Sequence, residues 1–365
     1  MKILLAGGGT AGHINPALAI AGYAVKKDPA TEVLFVGTKR GLEITLVPNA
    51  GYKIEYVEVE GLSKKLTLKN FKSLCHMLTA KGKCKKIIKK FRPDIVIGTG
   101  GYVCAPAVMA ANSMKIPTII HEQNVFPGSA IKLLSKKSTV TAISFEDSRK
   151  YLDGAQSILF TGNPIRPSIL ECSREKSRLS LGLGREKFIV IFGGSLGAAK
   201  INSVALEYIK DYVKNESHKI LFATGERNFD EINDSIKKEG IVLGDNVTIT
   251  PYIHNMDEVM NAADLVVCRS GAITVSELSA LGKPAILIPS PNVTNNHQEY
   301  NARALSDNGG AITILEKDFD VSSLKKAVDD ILTDESAHLE MSIKSKDLGT
   351  TNALEVIYDK MKELT

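Results

Sequence analysis

The sequence predicts an α/β protein made of two doubly wound parallel-sheet domains, and three observations predict it. Short apolar runs alternate with stretches long enough for helices, which is the pattern of strands buried on both faces of a parallel sheet. The alternation stops in a turn-rich and then charged stretch and begins again. The two halves also resemble each other element by element. At 365 residues and 44% hydrophobic content, the chain is longer than a single core usually grows.

The strands of the first half read in order as KILLA, EVLFVG, PDIVIG, PTIIHE and VTAIS, a Rossmann-like series. TGNPIRP, from Thr161 to Pro167, and the charged stretch from Glu171 to Lys187 then interrupt it, and KFIVIFGGSLGAA restarts it. A domain boundary belongs there, giving domains of 1–163 and 164–344. KILLAGGGTAG aligns with KFIVIFGGSLGA, PDIVIGTGG with ADLVVCRSG, and KIPTIIHEQN with GKPAILIPSPN. Each pairing is strand, glycine turn and helix, or a strand introduced by Pro117 or Pro284. The spacing is too long for a solenoid, so this is duplicated architecture. Ligands in open α/β sheets bind at the carboxyl ends of the strands, so the expected cleft is lined by the glycine turns of both halves.

Composition excludes several classes. The five cysteines, Cys75, Cys84, Cys104, Cys172 and Cys268, form no C-x-x-C pair and no cluster at ligand spacing. That argues against a structural zinc site or a disulfide framework and for a reducing cytoplasm. The leading ILLA run is too short for a signal peptide, and no stretch approaches the roughly 20 apolar residues of a spanning helix. The expectation is a soluble or peripheral protein. Its net charge of +5 hides an asymmetry, because Ser63 to Arg92 holds 11 basic and no acidic residues. The rest carries 35 basic against 41 acidic groups, a net of −6. In that segment Leu66, Leu68, Phe71, Leu74 and Leu78 mix with lysines at broadly helical spacing. Two readings stand: an outer helix with a solvated lysine face, or a basic amphipathic surface for anionic lipid. Nucleic acid ranks below both, since the segment has one aromatic residue and no recognised binding motif.

Gly7, Gly9 and Gly12 have G-x-G-x-x-G spacing, a weak sign of dinucleotide binding when alone. The second strand ends in Gly37, Thr38, Lys39 and Arg40, without the acidic residue that holds the ribose of NAD. The basic pair leaves NADP as a minor reading. The glycines would instead let the N–H groups of residues 7–9 approach an anion, with the helix that opens near His13 adding its positive end.

The motifs GGGTAGHINPALAIA, GTGGYVCAPAVMAA, HEQNVFPG, TGNPIR, FGGSLGA and CRSGAITVSELSALGKPAILIPSPNVTNNHQEYNA run in that order from Met1 to about Ala302. Together they resemble the bacterial UDP-N-acetylglucosamine:lipid-linked muramoyl-pentapeptide N-acetylglucosaminyltransferases of glycosyltransferase family 28. The resemblance implies the GT-B architecture of two Rossmann-like domains. It also implies inverting, β-1,4 transfer of N-acetylglucosamine to the 4-hydroxyl of a muramic acid on undecaprenyl diphosphate, at the cytoplasmic face of the membrane in peptidoglycan synthesis. It implies as well that a last helix, about 345–365, returns to the first domain, with Leu354, Ile357, Tyr358 and Met361 as its apolar stripe. Ala11 stands where a glycine is common, and Val103 and Cys104 sit at positions that tolerate change.

Carried over residue by residue, the resemblance places the UDP-sugar mainly on the second domain. Ser195 would bind phosphate at a strand-to-helix turn, where it can equally serve as an N-cap. Glu277 would accept from both ribose hydroxyls, and Ala272, Ile273, Thr274, Val275 and Ser276 would supply backbone contacts. Ile253 would read uracil through its backbone or simply pack at a strand end. Asn124 and Gln298 would contact the sugar, and Arg166 would complement diphosphate charge. Thr10, Ala11 and Gly12 fall in the opening loop, expected to cradle the acceptor phosphates.

His13 is the candidate base, with helix capping as its plain alternative; Glu122 is a second candidate base or a partner that orients His13. The one D-x-D, Asp318 to Asp320, precedes a helix and is read as a cap, so no metal and no cofactor is expected. A UDP-N-acetylglucosamine 2-epimerase shares the fold and the donor, but HEQN, the glycine loop and the lysine-rich segment favour transfer.

Overall fold

The computed structural model describes residues 1–59, 68–212 and 218–365, with side chains described for 1–59, 76–211 and 218–365. These residues form two compact units, Met1–Ile165 with Asn352–Thr365, and Arg166–Thr351.

The first unit is built on seven strands: β1 (Lys2–Gly7), β2 (Glu32–Gly37), β3 (Lys53–Tyr56), β4 (Ile95–Gly100), β5 (Thr118–Glu122), β6 (Val140–Ile143) and β7 (Ile158–Phe160). They lie in the order β3-β2-β1-β4-β5-β6-β7, all parallel. β1 lies inside the sheet, beside the middle strand β4, and its sequence is apolar on both faces; Ile3, Leu4, Leu5 and Ala6 are all fully buried. The chain leaves β1 toward β2 on one side and later returns to β4 on the other. The loops after β1 and β4 therefore diverge, and a crevice opens between them.

The second unit repeats the plan with β8 (Lys187–Phe192), β9 (His218–Ala223), β10 (Val247–Thr250), β11 (Leu265–Cys268), β12 (Ala285–Leu287) and β13 (Ile312–Thr313). Their order is β10-β9-β8-β11-β12-β13, again parallel, so the reversal falls between β8 and β11. This is the α/β class the sequence predicts. The outer strands β3 and β13, with few or no fully buried residues, carry no long apolar run and are the ones hardest to read.

The chain's last helix, Ala353–Leu364, packs with the first unit, against the helix Ala11–Lys27. Ile357 and Met361 join the cluster of Ile3, Leu5, Ile14 and Phe35, and Tyr358 meets Tyr23 edge-to-face at 5.8 Å. The return starts at Asn352, later than the expected position near 345. Residues 345–351 are held in the second unit: Ser345 is fully buried beneath Lys283, and a Cβ on Gly349 would lie 2.5 Å from the Ser279 carbonyl oxygen.

In the basic segment, Leu68–Phe91 is helical. Ala80, Cys84, Ile87 and Ile88 face the core at helical spacing, while Lys83, Lys86, Lys89 and Lys90 are exposed. Leu78 points outward at 61% exposure. The side chains of Lys64, Lys65, Leu66, Leu68, Lys69, Phe71, Lys72 and Leu74 lie outside the described residues. Among the described residues no helix is long and apolar enough to cross a membrane. Asp320 caps the helix Val321–Leu332 in a capping box, accepting from Ser323 N at 2.8 Å, while Phe319 beside it is buried.

Since Met361 is wholly buried, Met361→Ala should cost about 2–5 kcal/mol of unfolding free energy, read as a lowered urea midpoint. A loss under about 1 kcal/mol would mean that the last helix is dispensable to the first unit's core.

Candidate active site

In the first unit the crevice at β1 and β4 is built around His13. Gly7 ends β1, three residues form the turn, and the helix Ala11–Lys27 carries His13 in its first turn. Thr99, on β4, donates its hydroxyl to the His13 carbonyl at 2.7 Å and so ties the helix start to the neighbouring strand. This contact needs Gly7, because a Cβ there would lie 2.1 Å from Thr99 Oγ1. The imidazole needs Gly100, where φ is 109° and a Cβ would come within 2.5 Å of His13 Nδ1.

The ring's partner is Gln123, just past β5, whose Oε1 lies 3.2 Å from His13 Nδ1. Gln123 is itself fixed. Its Nε2 donates to the Thr99 carbonyl at 2.9 Å and lies 2.9 Å from His121 Nδ1, and its carbonyl accepts from Asn163 Nδ2 at 3.0 Å. His121 is fully buried, with Nε2 3.1 Å from the Gly162 carbonyl. Burial drives its pKa down to about 4, the bond to Gly162 opposing that only in part, so the ring is neutral.

Glu122 points elsewhere. Its carboxylate accepts from Asn124 N at 2.9 Å, Asn124 Nδ2 at 3.1 Å and Gly128 N at 2.8 Å, which folds the 124–128 loop around it. No hydrogen bond joins it to His13 among the described residues, so the expected orienting partner is replaced by its neighbour Gln123. Side chains alternate across a strand, which puts His121 and Gln123 on one side and Glu122 on the other.

The glycine turn also differs from expectation. Gly9 N donates to Glu43 Oε2 at 2.9 Å, and Thr38 donates its N–H at 3.0 Å and its hydroxyl at 2.8 Å to Oε1. Burial alone would raise the Glu43 carboxyl, but these bonds outweigh it and hold the group below its ordinary value. With an ionised carboxylate beneath it, the Gly9 amide is not offered to an anion. The amides of Ala11 and Gly12 instead stand at a helix start, where no intrahelical acceptor precedes them and the N-cap, Thr10, makes no side-chain capping bond.

In the second unit the ends of β8, β11 and β12 gather the remaining candidates. Ser195 is exposed in the turn between β8 and the helix Ala199–Tyr212, a turn closed by Gly197 N on the Gly194 carbonyl at 2.9 Å. The helix Ala272–Leu281 starts after β11 with Gly271 as its N-cap. Ile273 and Thr274 are half-buried, whereas Ala272, Val275 and Ser276 are buried. Glu277 follows, 6% exposed. Arg166 Nε donates to Glu277 Oε1 at 3.0 Å, and its Nη1 lies 2.7 Å from Asp257 Oδ1. Burial pushes the Glu277 carboxyl up, and Arg166 works against that. Arg166, expected to complement diphosphate charge, thus has two of its nitrogens engaged by the carboxylates of Glu277 and Asp257 in this structure. Ile253 is buried after β10, with Tyr252 beside it exposed. Gln298 accepts from Ser290 N at 2.9 Å, and its own carbonyl accepts from Ser270 Oγ at 2.8 Å, joining the ends of β11 and β12.

The sequence profile of the glycosyltransferase family 28 N-terminal domain matches residues 3–143, and that of the family 28 C-terminal domain matches residues 188–357. The chain belongs to glycosyltransferase family 28. Full-length relatives agree. Proteins named UDP-N-acetylglucosamine--N-acetylmuramyl-(pentapeptide) pyrophosphoryl-undecaprenol N-acetylglucosamine transferase are 48% identical in Acetivibrio thermocellus and 46% in Caldanaerobacter subterraneus. Each alignment covers 100% of this chain, with 98% and 100% of the relative. Among solved structures, Acinetobacter baumannii MurG matches with a TM-score of 0.79 at 25% identity over 99% of both chains. A UDP-GlcNAc 2-epimerase from Neisseria meningitidis, bound to UDP-GlcNAc, matches at 0.70 and 15% identity over 100% of both, a likeness of fold alone.

In this family 28 chain the structure brings Arg166 onto Glu277, both singled out by motif, and places His13, Thr10, Ala11 and Gly12 together at one helix start. Glu43, Thr99, Gln123, Asn163 and Asp257 were not singled out, although Thr99, Gln123 and Asn163 lie inside GTGGY, HEQN and TGNPIR. Gln123 had a signal, its place inside HEQN, whereas Glu43 lies 34 residues from the amide it binds and had none.

Glu43→Gln puts an NH2 group against N–H donors, and should destabilise the first unit by about 1–3 kcal/mol at pH 7. The folded-state pKa is depressed, so the carboxylate's contribution is present above the ordinary value of 4.5 and is lost as pH falls through the lower folded value. The gap between parent and variant melting temperatures should therefore narrow below about pH 4.5. A gap that stays constant to pH 3 would remove Glu43 from the loop's support.

Proposed function

We propose that this chain transfers N-acetylglucosamine from UDP-N-acetylglucosamine to undecaprenyl-diphosphoryl-N-acetylmuramoyl-pentapeptide, the step from lipid I to lipid II in peptidoglycan synthesis. The observation that carries this reading is full-length identity of 48% and 46% with transferases so named. The epimerase alternative rests on fold alone and has no such support.

In the finer reading, the second unit holds the donor. Glu277 Oε1 is occupied by Arg166, which leaves Oε2 for the ribose hydroxyls. The Ile253 backbone reads uracil, and Gln298 and Asn124 meet sugar hydroxyls. The turn at Ser195 and the start of the helix Ala272–Leu281 meet the diphosphate with backbone donors. In the first unit, the amides of Ala11 and Gly12 with the Thr10 hydroxyl meet the acceptor phosphates, in place of the amides of residues 7–9. His13 accepts the proton of the muramic acid 4-hydroxyl as that oxygen attacks C1 of the sugar. The C1–O bond to the β-phosphate breaks and UDP departs with the electron pair, so the anomeric configuration inverts in one displacement and the new bond is β-1,4. Charge on UDP is met by backbone donors and helix ends, with no metal required.

The expected division of effects tests this scheme. Glu277→Ala should weaken UDP binding by about 10- to 100-fold, measured by titration, through lost bonds worth about 1.5–3 kcal/mol. His13→Ala should leave UDP affinity within about twofold yet lower turnover by roughly 10² to 10⁴. Unchanged UDP affinity in the first variant, or normal turnover in the second at saturating acceptor, removes that residue from the scheme.

On this reading the enzyme works at the cytoplasmic face of the membrane, held there by anionic lipid. Exposed Lys83, Lys86 and Lys90 share one helical face by their spacing and supply part of the charge. The protein should sediment with anionic but not neutral vesicles, and Lys83, Lys86 and Lys90→Glu should weaken this without changing UDP affinity. Equal sedimentation of parent and triple variant would leave this face a merely solvated one.

A further inference from the structure

We propose that Gln123 is a positioning residue that fixes the tautomer of His13, presenting the Nε2 lone pair to the acceptor hydroxyl. The inference rests on the reading of His13 as the base. Two backbone carbonyls, which can only accept, decide it. The carbonyl oxygen of Thr99 lies 2.9 Å from one end of the Gln123 amide, so that end is the NH2 group and the other is oxygen. The oxygen end faces His13 Nδ1 at 3.2 Å and cannot donate, so Nδ1 carries the proton and Nε2 does not. The same result follows from the far end of the chain of hydrogen bonds. The Gly162 carbonyl, 3.1 Å from His121 Nε2, requires a proton on that nitrogen. Neutral His121 then offers a lone pair at Nδ1, which faces the Gln123 NH2 group at 2.9 Å. Carbonyls of a strand and of a loop therefore agree on the orientation of one amide, and the amide sets one imidazole.

A carboxylate in this place would do something else. It would set the same tautomer but also favour the imidazolium, holding a proton that the base must be free to take up. The neutral amide orients the ring without charging it. Asn163, which donates to the Gln123 carbonyl at 3.0 Å, and Ser144 Oγ, 2.9 Å from Asn163 Oδ1, hold the backbone behind the amide.

The test is nitrogen NMR on the full-length protein with 15N-labelled histidine, using the signals lost in His13→Ala to identify the ring. The neutral ring of the parent should show His13 protonated at Nδ1 and bare at Nε2. Gln123→Met fills similar space and offers no acceptor. It should move His13 toward the Nε2–H form and lower kcat at least tenfold, with KM for UDP-N-acetylglucosamine within about twofold. A parent ring protonated at Nε2 overturns the proposal, and needs no variant to fold. So does an unchanged tautomer in Gln123→Met, or a changed tautomer with undiminished kcat. Failure of the base reading is a separate result, normal turnover in His13→Ala.

Discussion

At the carboxyl ends of the central strands, two chain segments leave neighbouring strands at the same level, and they fit only where one of them brings no side chain. Beyond β1 and β4 this is met by Gly100 against the His13 ring. Beyond β8 and β9 it is met by Gly225, where a Cβ would lie 2.3 Å from Gly197 N. Both glycines have positive φ, 109° and 82°, so each position is closed to other residues by backbone conformation as well as by space. The imidazole at Gly100 is thereby seated on backbone. A seat made of main chain does not change rotamer, so it fixes the ring's place more firmly than a side-chain seat would.

Buried carboxylates do the second part of this work, each by a different solution to the cost of desolvation. Glu43 gathers amides and a hydroxyl of two turns, and Glu122 gathers the amides of one loop. Asp264 is met by Arg174, Arg178 and the Phe188 amide. Glu277 is held by Arg166 through Oε1, and against that pairing burial leaves its carboxyl raised. A carboxylate whose bonds are all made is structural.

The two-sheet architecture was legible because its central strands are buried on both faces, and burial of that kind is what continuous apolar runs such as KILLA, PDIVIG and ADLVVC record. Edge strands were less so, for β3 reads KIEY and β13 has two residues. Of the candidate site, the positions that a motif marks were legible: His13 in the glycine loop, Glu277 in the helix after β11. The network behind them was not. Thr99 and Gln123 reach His13 across separations of 86 and 110 residues, and a hydrogen bond between strand ends leaves no periodicity in either segment. Assigning Glu122 to His13 failed for a reason the sequence did contain, the alternation of side chains along β5.

The last helix has a consequence for the order in which the protein can be made. The second unit is one uninterrupted span, Arg166–Thr351, and its residues have all emerged shortly after synthesis passes them. The first unit comes earlier in the sequence, yet lacks Ile357 and Met361 until those residues have been made. During translation one of its core clusters must wait incomplete, covered by the helix Ala11–Lys27 but lacking these two residues, while the later unit folds. The half that is made first is therefore completed after the other, and a chain stopped at Thr351 would injure the fold at its beginning.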